Sequence, residues 1–295
     1  MSRFVFVFTR HSPLATRHSC LVALACAAFF AVVLNGVAEA QGLIVRLPKD
    51  GAWVRFEGTV KQVEFRPDAP EGDISMEWIE HLTIKSVGQE QSLYRGKQVP
   101  CRWIEIKVVT GKPSESGVEA GPVGERIYKI LVPEERVIGA VEDGGKIPYS
   151  FLDFVKGFRK IGGTVTPIPL ARGSEGGFQV YPLVGPLMHY DTIDAVGRDA
   201  EQVQVPGGAV RARKFKARRV IESPILRTTN EAEIWRCDGD TIPFGLAKWS
   251  TKTTIDKKES TAQRSSAFKP ATQVSVEMSA HEWGTGAKSE LTAGP

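Results

Sequence analysis

The sequence predicts a mainly β protein with minor α, a curved antiparallel sheet or half-barrel around one amphipathic helix. Three observations carry that class. Apolar and polar residues alternate with period two in segments on both sides of the middle of the chain. One segment, Pro148–Lys160, instead repeats with helical period. The 295 residues, less an N-terminal leader, suffice for one sizeable β domain with a real core.

The leader comes first. Arg3, Arg10 and Arg17 precede an uncharged apolar run from Cys20 to Leu34, and Val37-Ala38-Glu39-Ala40 supplies an A-x-A site. This is the pattern of a secretory signal, with residues 1–40 expected to be removed after Ala40. The run is shorter than the ~20 residues that span a bilayer comfortably. No second long apolar run follows, so no transmembrane segment is expected in residues 41–295. Ala23-Leu24-Ala25 before Cys26 does not match a lipid-modification site, which takes Leu three places before the cysteine and a small residue two before. This leaves Gln41 as the expected mature N-terminus. The protein is therefore expected to be periplasmic or secreted. Its charge, 38 basic residues against 34 acidic, is near balance and gives no case for nucleic acid.

After a lead-in from Gln41 to Gly51, Ala52–Phe65 places Val54, Phe56 and Val60 opposite Arg55, Glu57 and Lys61. Residues 66–73 carry the Pro, Asp and Gly of a turn. Ile74–Val87 aligns Ile74, Met76, Trp78, Leu82 and Ile84. Glu80 interrupts that face, and a bulge turning it outward is expected. Cys101–Val109 sets Ile104, Ile106 and Val108 against Trp103, Glu105 and Lys107, and Gly111–Gly124 reads as a long exposed hairpin loop. Arg126–Val132 is the next strand, followed by a short helical turn led by Pro133. The helix is expected from Pro148, with Phe151, Leu152, Phe154, Val155 and Phe158 on its apolar side and Gly162-Gly163 as its stop.

Thr164–Asp199 is punctuated by Pro and Gly and has no clear element, although Phe178–His189 reads as extended. His189, Asp191 and Asp194 lie close together there, at a spacing better suited to a surface Asx-turn than to a metal. Gly208–Glu222 carries Arg211, Arg213, Lys214, Lys216, Arg218 and Arg219. As a strand, it puts Lys214, Lys216 and Arg218 on one face as a candidate anion site, and Arg211, Arg213 and Arg219 on the other beside Phe215. Lys257–Pro270 reads as a loop and Gln273–Met278 as a last strand. Residues 284–295 read as a tail whose Gly284–Ser289 lacks the spacing of a phosphate loop.

The stretch Glu231–Asp256 is the most explicit hairpin. Ala232 and Ile234 alternate with Glu231, Glu233 and Trp235, and Asp238-Gly239 supplies a turn. The return strand places Ala247, Trp249, Thr251, Thr253 and Ile255 on one face. Between them, Ile242-Pro243-Phe244-Gly245 forms an apolar knuckle. This order resembles the closing hairpin of exported bacterial β-proteins of the lipoprotein-carrier type, a half-barrel wrapped around a short helix. The resemblance covers the last third of the chain. It implies that architecture and the binding of something apolar, and it brings no catalytic residues.

Beyond residues 1–40 two cysteines remain, Cys101 and Cys237. Either a disulfide or a pair of buried thiols is open to them. There is no G-x-S-x-G, H-E-x-x-H or dinucleotide fingerprint, and His81, His189 and His281 each stand apart from a plausible nucleophile. No enzyme activity, cofactor or metal is expected. Two functions remain. In one, a cell-envelope protein holds a lipid or other amphiphile on Val54, Phe56, Trp78, Phe151, Phe154, Phe158, Trp249 and Met278. In the other, the core fills itself and the protein is a structural or protein-interaction module. An open apolar cleft of several hundred Å³ favours the first, and a packed interior the second.

Overall fold

The computed structural model describes residues 44–115, 117–137, 151–170, 176–179, 190, 192–237, 240–258 and 267–291. The expected leader, residues 1–40, lies outside them. The strands are β1 (Trp53–Glu64), β2 (Ile74–Tyr94), β3 (Lys97–Ser114) and β4 (Gly117–Pro133), followed by the one-turn helix α1 (Glu134–Val137). Next come β5 (Phe151–Phe154), β6 (Lys156–Ile161), β7 (Thr164–Pro167), β8 (Gly176–Gln179) and β9 (Thr192–Val205). The last four are β10 (Gly208–Glu222), β11 (Leu226–Cys237), β12 (Leu246–Lys257) and β13 (Lys269–Gly284).

Eleven strands form one curved, unclosed antiparallel sheet in the order β7-β6-β4-β3-β2-β1-β13-β12-β11-β10-β9, and β5 pairs with β8 separately. Two meanders are thus joined where the first strand pairs with the last. β1 and β13 approach closely there because Gly58 has no side chain: a Cβ at that position would lie 1.8 Å from the Glu277 carbonyl oxygen.

Alternation then decides the faces. Along one inner row, Met278 of β13 sits beside Trp249 of β12, then Ile234 of β11 and Phe215 of β10. In the other meander Phe56 pairs with Leu82, and Leu82 with Val108. The two sets meet in one core, with the Phe56 and Trp249 rings edge to face at 4.9 Å. Burying each such side chain is worth roughly 1.5–3 kcal/mol. The β9–β10 turn curls over β13, where Gly207 donates its N–H to the Ala280 carbonyl at 3.3 Å and lies against the Trp283 ring.

One end of the core is sealed by the segment before β1. Val45 and Arg46 donate their N–H groups to the Phe244 carbonyl, at 2.8 and 3.3 Å. Ile44, Ile242 and Phe244 are buried beneath. The Arg46 guanidinium donates to the Cys237 carbonyl, and Arg102 donates to the Pro48 carbonyl at 2.9 Å. Ile242–Gly245 is a tight turn closed by the Gly245 N–H on the Ile242 carbonyl at 3.1 Å. Phe244 occupies its left-handed position, φ 66°. Such a backbone costs of order 1–3 kcal/mol in a non-glycine residue and persists because burial of the ring over-determines it.

Several expectations are corrected. The helix from Pro148 to Lys160 is not formed over its described part: residues 151–154 are β5 and residues 156–161 are β6. Phe and Val have high strand propensity, and a bend at Val155 lets two short strands imitate helical spacing. Gly111–Gly124 is no loop, because β3 and β4 continue as a paired arm through Pro113↔Val118 and Ser114↔Gly117. No bulge turns Glu80 outward. Gly58↔Glu80 lies in an unbroken register, and the side chain stays on the inner face. Met76, expected inside, is exposed near the start of β2. The short helical turn after Pro133 forms as α1, and the Glu231–Asp256 hairpin forms as β11–β12, with its Asp238-Gly239 turn outside the described residues.

Candidate functional site

The predicted apolar lining is brought together in part. Val54, Phe56, Phe154, Trp249 and Met278 belong to the core and are at most 1 % exposed. Trp78 packs against them, half-buried. Phe158 faces the other way: across the bend at Val155 it joins Trp103 on the outer face, ring centroids 6.4 Å apart. Phe151 lies in β5, paired with Gln179. The five core members and Trp78 thus belong to one packed cluster rather than flank a cleft.

A cavity of about 620 Å³ lies instead against the outer face of β9–β13. Its charged side chains come from positions one residue out of step with the core row, and Ala217, Ala232, Thr251 and Val276 of the core-side positions also border it. Lys216, Glu233 and Glu277 stand in one cross-strand row, and Arg218, Glu231 and Lys252 in the next. The candidate anion site falls here, and each of its cations already faces a carboxylate of β11. Lys214 and Lys216 lie 2.8 and 3.5 Å from Glu233, and Arg218 lies 3.7 Å from Glu231. The Lys214 contact holds the Glu233 carboxyl below its ordinary range. A bulge between Ala212 and Lys214 also changes the expected faces. It returns Phe215 to the core and leaves Arg211 exposed on the side of Lys216 and Arg218.

Beside the cavity the Trp235 ring lies between Lys214 Nζ at 4.8 Å and Lys248 Nζ at 4.6 Å. The same cross-strand row continues through Ser279 to Glu57 and His81. There the structure assembles a group that the sequence scatters. His81 and His281 place their Nε2 atoms 3.7 and 3.6 Å from the same Glu57 oxygen, and Arg55 bridges Glu57 and Glu282 at 2.9 and 3.1 Å. Burial lowers the His81 pKa against the pull of Glu57. Only knowledge that β1 lies between β2 and β13 could have joined these residues. Among the described residues no group of three His, Cys, Asp or Glu side chains has the geometry to hold a metal ion. His189 and Asp191 lie outside those residues, and Asp194 is in β9.

On the inner face Glu80 is 7 % exposed, and burial pushes its carboxyl from 4.5 to about 7 against the opposing charge of Arg126. Cys101 and Cys237 are both buried and unbonded, and burial pushes the Cys101 thiol up. The expected tail is pinned across the outer face of β2–β4. Ser289 Oγ and the N–H groups of Glu290 and Leu291 all donate to the buried Glu105 carboxylate. No helix among the described residues is long and apolar enough to cross a membrane. No family model matches the chain, and no curated protein matches its sequence.

Proposed function

We propose that this protein is an exported cell-envelope interaction module with a self-filled core, and that it meets its partner through the polar outer face of β9–β13. The observation that carries this reading is the position of the space. Five of the eight apolar side chains that would have lined an amphiphile cleft, Val54, Phe56, Phe154, Trp249 and Met278, are core residues at most 1 % exposed. The cavity of about 620 Å³ is lined by lysine, arginine and glutamate side chains together with Ser250, Ser275 and the smaller residues Ala217, Ala232, Thr251 and Val276. Such a surface recognises a partner by matching charge, which favours specificity and encounter rate more than raw affinity. Partner binding through it therefore weakens as salt rises.

The test is titration of the folded protein with a fluorescent fatty acid. The expected result is no saturable uptake. Saturable binding at micromolar concentration or tighter would restore the amphiphile-carrier reading and overturn this one.

A further inference from the structure

One end of the sheet carries a feature that a self-filled core leaves unused. The β10–β11 hairpin ends in the turn Ser223–Leu226, and four large aliphatic side chains there face solvent. Val220 is 36 % exposed, Ile221 47 %, Ile225 46 % and Leu226 39 %. The neighbouring β12–β13 hairpin meets this turn, with Leu226 paired to Lys257 and Lys257 to Lys269. By register, Arg219, Arg227, Lys257, Lys258 and Lys269 stand near the aliphatic tip. Among the described residues the carboxylates beside them are Glu222 and Asp256, and Asp256 accepts two hydrogen bonds from Arg227 at 3.0 and 2.9 Å. Phe268 lies beneath the Arg227 guanidinium at 4.7 Å and the Lys258 ammonium at 4.2 Å.

We propose that this tip docks on an anionic phospholipid bilayer, the aliphatic side chains entering the interface while the cations meet lipid phosphates. Apolar tip and basic collar are the two complementary halves of such a surface: acyl chains accept the first and anionic headgroups attract the second. Hydrogen bonds within the turn and to Lys258 lower the cost of bringing its backbone to a medium poor in water, where an unpaired polar group is costly. Ser223 N–H donates to the Leu226 carbonyl at 2.7 Å, Leu226 N–H to Ser223 Oγ at 3.1 Å, and Lys258 N–H to the Ile225 carbonyl at 2.9 Å. The turn can therefore be immersed without breaking its own hydrogen bonds. Phe268, under two cations, sits at the level where an aromatic ring bridges apolar and headgroup regions. This inference goes beyond the interaction-module reading and concerns a different part of the surface.

Residues 1–40 carry their own apolar run, so the readout is placed at the tip. Ile225 is replaced in the full chain by a genetically encoded fluorescent amino acid sensitive to its surroundings. Vesicles contain phosphatidylcholine with about 30 % phosphatidylglycerol, a content sufficient for a strong surface potential. The expected result is a blue shift, quenched by lipids brominated in the acyl chain and largely lost at about 0.5 M NaCl. Lys257→Glu with Lys269→Glu should raise the lipid needed for half the shift by about 100-fold, at roughly tenfold or more per reversed charge. The β-type circular dichroism of these variants should be unchanged. An unshifted spectrum with anionic vesicles overturns the proposal, as does a shift of equal size with pure phosphatidylcholine. The fatty-acid titration above is indifferent to either outcome.

Discussion

The backbone N–H of Glu290 donates to both oxygens of the Glu105 carboxylate, at 3.1 and 3.0 Å, across a sequence separation of 185 residues. Lys85 Nζ lies against both carboxylates, and Lys107 reaches Glu290 at 2.8 Å. Burial opposes the charge on Lys107, but its bonds to Glu290 and Glu125 outweigh that and raise its pKa. Burial likewise opposes the Glu290 charge, and the two lysines hold that carboxyl low. A buried carboxylate thus straps the C-terminal segment to the sheet. Glu105→Ala leaves Lys85 only Glu290 as a counter-charge and removes the acceptor of the Glu290 and Leu291 N–H groups, and should cost about 3 kcal/mol in urea unfolding. Limited proteolysis of the variant should then cut within residues 285–291.

Glu80 sets a pH dependence with a definite sign. Its folded pKa of about 7 lies above the ordinary 4.5. The folded state therefore binds the proton more tightly than the unfolded chain. The contribution is fully present below about pH 4.5 and is lost as pH rises through 7, a change of about 3 kcal/mol. His81, its pKa lowered by burial, acts in the other direction, losing stability as pH falls below 6.5. Glu80→Gln should leave the urea midpoint little changed near pH 4 and raise it near pH 8.

Trp249 is 1 % exposed and meets Phe56 edge to face. Trp249→Ala should cost about 3–5 kcal/mol, and Trp249→Asp should prevent folding outright by burying a charge. Thermal unfolding of the two variants checks the order. Either one as stable as the parent chain would mean that the interior is open rather than packed.

Gly58→Ala places a Cβ 1.8 Å from the Glu277 carbonyl oxygen and 2.6 Å from Met278 Sδ. The backbone cannot give way without separating β1 from β13, the only pairing that joins the two meanders in the order of the sheet. A loss of about 3 kcal/mol or more is expected, at the upper end of overpacking costs, measurable as a lower urea midpoint.

Cys101 and Cys237 are buried thiols. Both should resist alkylation in the native protein and react at once in denaturant without reductant. Mass spectrometry of peptides spanning the two sites reads the result, and protection that only a reductant removes would establish a disulfide.

Alternation of side chains determined much of this protein before any contact was known. It placed Val54, Phe56 and Val60 together on β1, Ala232 and Ile234 together on β11, and Trp249 and Thr251 together on β12, because period two is a property of each strand alone. Tertiary structure decided what depends on partners. Residues 151–161 became strands because a short aromatic run fits either period until a neighbour supplies hydrogen bonds, and here β8 pairs with β5 and β4 with β6. Glu80 stayed inside because its register with Gly58 has no bulge, and Arg211 moved outside because β10 has one. Glu57, His81 and His281 became one cluster because β1 lies between β2 and β13. Register and strand order are long-range hydrogen-bonding choices made by the whole sheet, and local spacing carries no record of them.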